Sequence, residues 1–187
     1  MSILFKLDLL HLKAKQNRWF WYFAWFNRIA LAAGFIIAGL VKIMGERFAS
    51  GLSVNHSMGH YLEALYQTSY YYPFIGVIQV IAAILLLIPR TATLGAILYF
   101  PIILNICVLS FAVRFDGSLL SSPLMVLANL YLLCWDYDKL KYLFSFNRSA
   151  TFSNLVRQKR ISNKFPTIFF TGVIATIVIL VLIIINA

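Results

Sequence analysis

The sequence is poor in charged residues and in cysteine. Charged side chains make up 12% of the 187 residues, and only 6 residues are Asp or Glu. This scarcity, beside 61% hydrophobic residues, argues against disorder, a disulfide-stapled secreted fold and a nucleic-acid partner. The two cysteines form no CxxC pair, which argues against a thiol relay, a zinc site and c-type haem attachment. The apolar excess indicates a membrane protein.

Apolar runs long enough to cross about 30 Å of hydrocarbon, roughly 20 residues each, occur five times. They cover residues 24–46, 72–89, 92–113, 118–136 and 167–186. Only a tight turn at Pro89 and Arg90 separates the second run from the third, so these two are predicted to form an antiparallel helical hairpin. The sequence therefore predicts an all-α, polytopic membrane protein.

The basic residues indicate how the chain is oriented. Only Lys42, Arg47 and Arg114 fall on one side of the predicted spans. The remaining 13 of the 16 fall on the other side: Lys6, Lys13, Lys15, Arg18, Arg28, Arg90, Lys139, Lys141, Arg148, Arg157, Lys159, Arg160 and Lys164. By the positive-inside rule we expect a cytoplasmic N-terminus and an extracytoplasmic C-terminus.

The segments outside the central spans carry their own patterns. Residues 1–26 combine an amphipathic stretch with the aromatic run WFWYFAWF and are predicted to lie at the membrane interface. They show no small-residue cleavage pattern, so we expect the N-terminus to be retained. Residues 142–166 are predicted to be a basic cytoplasmic linker, and 167–187 a fifth transmembrane helix. A second aromatic group, Tyr70 to Phe74, is expected to anchor the other interface.

The first span carries charges that need an explanation inside a membrane. Ala30, Gly34 and Ala38 recur at a spacing of four, which favours close helix packing, and the same row continues to Lys42 and Glu46. The pair is therefore expected to face the other helices. Either Lys42 presents a cation to an anionic or quinone-like ligand, or it snorkels from the end of its helix. By similar reasoning, Arg28 is either an interfacial anchor or a buried cation.

Three amides from other spans complete a candidate ligand site. Gln79 lies on the small-residue face of the second span, and Asn105 follows the kink predicted at Pro101. Asn129 stands on one stripe with Ser122 and Asp136, at a spacing of seven. These amides either line a pocket or form hydrogen bonds between helices, worth about 0.6 kcal/mol each. The candidate ligand-binding set is Lys42, Glu46, Gln79, Asn105 and Asn129.

The loop between the first two spans contains a second group of polar residues. In a helix, His56, His60 and Glu63 would share one face at a spacing suited to metal ligands. Gly59 weakens such a helix, and no other His or Cys lies nearby in the sequence. We therefore expect no metal site. These three residues are predicted to form a network over the outer mouth of the helices, together with Arg114 and Asp116.

The predicted topology separates the two cysteines. Cys107 lies about 22 Å along a span that runs outward, whereas Cys134 lies near the inner end of a span that runs inward. A disulfide tolerates about 7 Å between α-carbons. The two cysteines are therefore expected to remain free.

Three stretches together resemble a known family. They are the first span with Arg28 and GLVK at 39–42, the segment GVIQVIAAILLLIPRTATLGAIL at 76–98, and LANLYLLCWDYDKLK at 127–141. They resemble the DoxX-like integral membrane proteins of bacteria, over about residues 27–141. The resemblance implies a four-helix transmembrane bundle in the cytoplasmic (inner) membrane. This chain has Gln79 where many members carry a carboxylate, which weakens an inherited role in proton handling.

The resemblance also suggests a function. The family takes its name from subunits of a thiosulfate:quinone oxidoreductase, and its relatives include membrane partners of redox enzymes. This implies an accessory or quinone-facing subunit of a membrane redox system, with quinone as the cofactor and other membrane proteins as partners. The alternative is a non-enzymatic scaffold, assembly factor or chaperone, a role known among distant relatives. The sequence shows no nucleophile–base pair, haem ligand pair or nucleotide loop that would indicate a catalytic centre. It is compatible with a homo-oligomer as well as with a monomer.

Overall fold

The computed structural model describes residues 14–115 and 117–143, together with Thr171, Ile174, Ala175, Val178 and Leu182. These residues are helical or lie in turns and loops, and none of them is in a strand. Six helices are complete within this part: α1 (Arg18–Ile43), α2 (Ser57–Tyr66), α3 (Tyr71–Leu87), α4 (Ala92–Ala112), α5 (Ser121–Trp135) and α6 (Tyr137–Leu143).

Two of these helices, α1 and α4, are long and apolar enough to cross a membrane. The number of candidate membrane spans rises to three if α2 and α3 together form one span, although these two helices meet at a bend of 98°. The helix α5 is apolar but has only 15 residues. The all-helical architecture and its membrane character thus agree with the sequence. Residues 1–13 of the interfacial segment predicted at 1–26, residues 144–166 of the linker predicted at 142–166, and most of the fifth span lie outside the described residues.

Four helices pack into a closed ring, in which α1 and α4 each contact both α3 and α5. Neighbouring helices in the ring run antiparallel. The start of α4 lies against the end of α3, because a Cβ on Gly95 would come within 2.5 Å of the backbone nitrogen of Leu86. The core of the ring contains Leu31, Phe35, Leu86, Tyr99, Ile103 and Val126. Phe35 stacks on Tyr99 with 3.5 Å between the ring centroids.

The ring has two ends, which carry different polar groups. We call the end where α1 begins the Arg28 end, and it includes the turn from α3 to α4 and the junction of α5 with α6. We call the opposite end, where α1 finishes, the Lys42 end. It includes α2 and the start of α3.

A second close approach between helices joins α1 to α3 at Gly39 and Gly76. A Cβ built on Gly39 would lie 2.8 Å from the carbonyl oxygen of Gly76, and one built on Gly76 would lie 2.6 Å from that of Gly39. The predicted small-residue row does not make this contact. Ala30 is exposed, and Gly34 faces the methyl end of Met125 on α5. The row was wrong because the buried face of α1 is centred on Leu31, Phe35 and Gly39 rather than on Gly34.

The first helix begins at Arg18, six residues before the predicted span. Asn17 accounts for this start, since its side chain accepts a hydrogen bond from the backbone N–H of Trp19 at 3.0 Å and so caps the helix. The aromatic run therefore forms the first two turns of α1, and Trp19 is 80% exposed. In the second aromatic group, Tyr70 and Tyr71 are exposed, whereas Tyr72 is buried.

Candidate functional site

Lys42 is a buried cation in the last turn of α1. Its ammonium donates a hydrogen bond to the carbonyl oxygen of Ala38 at 2.9 Å. It also lies 4.5 Å from the centroid of the Phe48 ring and 6.0 Å from that of Tyr72. No carboxylate among the described residues pairs with Lys42. Because an ammonium has three N–H donors, this group keeps donor capacity for an anion or a carbonyl oxygen.

Gln79 lies in the same interface between α1 and α3 as Lys42. The Cβ of Lys42 is 2.8 Å from a Cβ built on Gly76, and the Cβ of Gln79 is 3.4 Å from one built on Gly39. The two side chains therefore flank the glycine contact. Gln79 is only 2% exposed, and its Oε1 has no hydrogen-bond partner. An unmade hydrogen bond of this kind costs about 1–3 kcal/mol, so this oxygen suits a donor supplied by a ligand or a water.

Tyr72 fastens the loop that follows α1 over this pair. Its hydroxyl donates to the carbonyl oxygen of Glu46 at 2.9 Å and accepts from the backbone N–H of Phe48 at 2.8 Å. These two bonds hold the Phe48 ring over the ammonium of Lys42. Phe48 itself is more than a third exposed, so it separates the buried pair from the surroundings at the Lys42 end.

Two members of the predicted ligand set lie elsewhere. Glu46 is exposed because α1 ends before it: Gly45 adopts a left-handed conformation with φ +72°, and the N–H of Glu46 bonds to the carbonyl oxygen of Val41. The spacing of four from Lys42 therefore no longer places Glu46 on the same face. Asn105 is exposed too. It lies two residues, about 200° of helix, from the buried Ile103. The kink residue Pro101 shares that exposed side.

Asn129 is fully buried on α5, and it contacts a different helix pair. Its Nδ2 donates to the carbonyl oxygen of Ala96 on α4 at 3.1 Å, while its Oδ1 has no partner. The stripe predicted on the fourth span is confirmed, since Ser122, Asn129 and Asp136 are all buried. The one described hydrogen bond of Asn129 joins two helices, which is the structural alternative that the sequence left open.

The largest polar cluster among the described residues is at the Arg28 end, and the sequence analysis did not predict that its residues would be in contact. Asp136 is its centre: Oδ2 lies 3.2 Å from an Nη2 of Arg28 and accepts from the hydroxyl of Thr93 at 2.9 Å. Its Oδ1 lies 3.2 Å from the ammonium of Lys139. Arg28 also lies over the ring of Trp25, with 5.7 Å from Cζ to the centroid. The cluster joins α1, α4, α5 and α6, and it shows that Arg28 is the buried cation.

A second ion pair extends this cluster towards the surface. The ammonium of Lys15 lies 2.7 Å from Oδ2 of Asp138, and both side chains are partly exposed. This contact ties the segment before α1 to α6. On α1, the Nδ2 of buried Asn27 has no hydrogen-bond partner. The sequence signal for the whole cluster was the set of ionisable residues at the ends of apolar runs.

The predicted network over the outer mouth is only partly assembled. Glu63 pairs with Arg47, whose Nε lies 3.1 Å from its Oε2. The guanidinium of Arg47 also donates to the carbonyl oxygens of Leu52 and Gly59. The contact with Glu63 is an ion pair rather than a directed hydrogen bond, because the Nε–H of Arg47 is not aligned with the carboxylate oxygen. Arg47 is therefore the ion-pair partner of Glu63, whereas Arg114, which was predicted in this network, is exposed at the end of α4.

The histidines do not form the predicted face. His56 lies before α2 and caps it, since its Nδ1 accepts from the backbone N–H of Met58 at 3.3 Å. His60 is exposed on the helix. Asp116 lies outside the described residues. Within the described part of the chain, no three side chains of His, Cys, Asp or Glu are grouped closely enough to hold a metal ion. Cys107 and Cys134 are both free, as expected.

The two polar groups differ in what they can do chemically. At the Arg28 end the carboxylate is met by two cations and a hydroxyl, so its acceptors are used within the protein. In the interface between α1 and α3, a buried donor on Lys42 and a buried acceptor on Gln79 lie one on each side of the glycine contact. A head group that offers both a carbonyl oxygen and a hydroxyl complements Lys42 and Gln79.

Comparison with known proteins gives one relative. The chain is 32% identical over 143 residues to YwoB of Bacillus subtilis (strain 168), a protein described as uncharacterized. The match covers 71% of this chain and 87% of YwoB. No family model matches the chain. No solved structure matches it either.

Proposed function

The chain belongs to the same family as YwoB, and we propose that it is an accessory, quinone-facing subunit of a membrane redox system. The single observation that carries this proposal is the buried pair of Lys42 and Gln79. Among the described residues, Lys42 is a cation without a carboxylate partner and Gln79 has an acceptor oxygen without a hydrogen-bond donor. In this proposal the four-helix ring is a DoxX-like bundle in the inner membrane of a bacterium, as the motifs at 39–42, 76–98 and 127–141 suggest.

The residues at the Lys42 end fit a quinone head group in their hydrogen-bonding character. The ammonium of Lys42 donates to a quinone carbonyl, and Oε1 of Gln79 accepts from the hydroxyl of the reduced quinol. Phe48 lies against the ammonium of Lys42, where it would cover a bound head group, and Tyr72 positions Phe48. The quinone, when bound, supplies the electron-carrying chemistry. The chain binds and orients it for a partner that carries the catalytic centre.

The test is the quinone content of protein purified in mild detergent. Lys42→Met keeps the length of the side chain and removes the donor, and Gln79→Leu removes the acceptor. We expect Lys42→Met to retain at most about a tenth of the quinone of the wild type, because a hydrogen bond to a charged group contributes about 1.5–3 kcal/mol. Gln79→Leu should retain less than the wild type by a smaller factor, because a hydrogen bond between neutral groups contributes about 0.5–1.5 kcal/mol. Asn105→Ala is the matched control, since Asn105 is an exposed amide on α4, and it should retain the wild-type amount.

Two outcomes would contradict the proposal. The first is a wild-type protein that carries no quinone and takes none up from vesicles that contain it. The second is equal quinone in Lys42→Met and in the wild type. Quinone-dependent electron transfer in membranes provides a second measurement, because an accessory subunit that presents quinone should slow this rate when Lys42 is replaced.

A second candidate is a non-enzymatic scaffold or assembly factor for a membrane complex. It is favoured by the Arg28 cluster and Asn129, whose polar atoms join helices, and by the dispersal of Glu46 and Asn105. Docking would use the segment at 167–187, where Ile174 and Val178 are exposed. This role predicts that Ile174→Asn with Val178→Asn, in the full chain, loses the associated complex while Lys42→Met retains it. Loss on Lys42→Met alone favours the first candidate.

A further inference from the structure

The charged residues at the Arg28 end continue from the buried cluster to the surface. The contact between Lys15 and Asp138 brings the start of α1 beside α6. Arg18, three residues after Lys15, is exposed at the start of α1, and Lys139 follows Asp138 on α6 and has a side chain that is 51% exposed. The exposed rim of the seam therefore contains three cations and the half-exposed carboxylate of Asp138, which is paired with Lys15. We call Lys15, Arg18 and Lys139 the seam cations.

Positive charge exceeds negative charge here among the described side chains. Arg28 and the seam cations give four cations, against the two carboxylates of Asp136 and Asp138. Both carboxylates are engaged, Asp136 by Arg28, Thr93 and Lys139 and Asp138 by Lys15. The first turn of α1 also contains no acidic residue, so the partial positive charge of its N-terminus adds to the excess.

The aromatic residues at the same level fix the depth of this seam. Trp19 and Trp21 are exposed in the first turns of α1, directly after Arg18. Tryptophan side chains of this kind prefer the head-group region of a bilayer, where the apolar ring and the indole N–H are both accommodated. We therefore expect Arg18, next to Trp19 in the chain, to be at the depth of the lipid phosphates. A cation at that depth attracts anionic head groups more strongly than zwitterionic ones.

We infer that the seam between α1 and α6 is a binding site for an anionic phospholipid, whose phosphate is held by Arg18 and Lys139. Lys15 borders the site and is held by Asp138. The neighbouring Trp19 packs against the glycerol region of the same lipid. This binding is separate from the proposed quinone site, which lies at the other end of the ring and shares no residue with it.

The chain contains its own reporters for this site. All 4 tryptophans, Trp19, Trp21, Trp25 and Trp135, are near the Arg28 end. The full-length protein is reconstituted in vesicles in which one lipid species carries bromine atoms that quench tryptophan. Brominated phosphatidylglycerol is compared with brominated phosphatidylcholine at equal mole fraction. We expect stronger quenching by the phosphatidylglycerol, which shows that this lipid is enriched around the tryptophans.

Two variants test which cations are responsible. Arg18→Gln with Lys139→Gln should reduce the preference for phosphatidylglycerol by about fivefold for each charge removed. Arg114→Asn is the control, because it removes one positive charge at the opposite end of the ring. Arg114 is exposed there, and its positive φ suits Asn. It should keep the wild-type preference. Equal quenching by the two lipids in the wild type overturns the inference, as does a preference that survives in the double variant.

If the double variant loses its helical circular dichroism, the salt dependence of the lipid preference of the wild type provides the test instead. Raising the ionic strength from about 0.1 M to about 1 M shortens the Debye length from roughly 10 Å to roughly 3 Å. The preference of the wild type should then fall towards equality between the two lipids. A preference that is unchanged by salt contradicts binding through these cations.

Discussion

Arg28 and Asp136 form a buried ion pair that connects residues 108 positions apart. Their side chains are 8% and 7% exposed, and Nη2 of Arg28 lies 3.2 Å from Oδ2 of Asp136. The pair joins the first helix of the ring to the end of the last one, and Thr93 brings in the start of α4. Removing one partner of such a pair leaves a buried charge without compensation.

The first prediction follows from this pair. Asp136→Leu should destabilise the ring by about 3–5 kcal/mol, because Arg28 then stays buried without its counter-charge. Asp138→Asn should change the stability by less than about 1 kcal/mol, since its pair with Lys15 is half exposed and screened by solvent. Thermal unfolding in detergent, followed by circular dichroism, measures both.

The double variant Arg28→Met with Asp136→Leu provides the check on this reason. Replacing both charges with apolar residues of similar size removes the need for compensation, so most of the lost stability should return. If Asp136→Leu alone melts at the wild-type temperature, the pair does not hold the ring together.

A second prediction concerns the glycine contact between α1 and α3. In Gly76→Ala the new methyl group would lie 2.6 Å from the carbonyl oxygen of Gly39 and 2.8 Å from the Cβ of Lys42. The helices must separate, and we expect a loss of about 1–3 kcal/mol of stability. The same separation should weaken quinone retention, because Lys42 and Gln79 flank this contact.

Gly34→Ala is the matched control for that substitution. Its methyl group would meet only the Cε of Met125, at an ordinary 3.4 Å. Alanine is a better helix former than glycine by about 0.5–1 kcal/mol, so this variant should be as stable as the wild type or more stable. If Gly34→Ala and Gly76→Ala lose equal stability, close packing of Gly76 against Gly39 does not explain the loss in Gly76→Ala.

Much of this architecture is readable in the sequence, because helix positions depend on local apolar runs. The predicted spans at 72–89, 92–113 and 118–136 coincide closely with α3, α4 and α5. The row from Ala30 to Glu46 failed for two physical reasons. A weakly amphipathic helix gives little indication of its buried face, and Gly45 ends α1 before Glu46.

The polar contacts were harder to predict than the helices. Spacing within one helix placed Asp136 on a buried stripe, yet no local pattern could pair it with Arg28. Asn105 was assigned inward because polar residues in membranes usually face other helices, whereas the buried face of α4 is fixed by Tyr99, Ile103 and Cys107. Pairings between distant segments depend on how the helices are arranged around the ring.

A third prediction concerns Tyr72, whose hydroxyl bridges the two sides of the loop after α1. Tyr72→Phe removes one donated and one accepted hydrogen bond, to Glu46 and from Phe48. We expect a loss of about 1–3 kcal/mol and faster amide hydrogen exchange at Phe48, because its N–H loses its acceptor. Tyr70→Phe, at a side chain that is 90% exposed, should change neither quantity. Unchanged exchange at Phe48 in Tyr72→Phe would contradict the bridging role.

Both proposed sites require that the two ends of the ring lie on opposite faces of one membrane. The direct measurement is labelling with a membrane-impermeant maleimide, in a chain where Cys107 and Cys134 are replaced by Ala. Gln67→Cys is at the Lys42 end and Arg90→Cys at the Arg28 end, and both positions are exposed. The account predicts that Gln67→Cys is labelled from outside in intact cells, and Arg90→Cys only after permeabilisation. Labelling of both positions from the same side would contradict it.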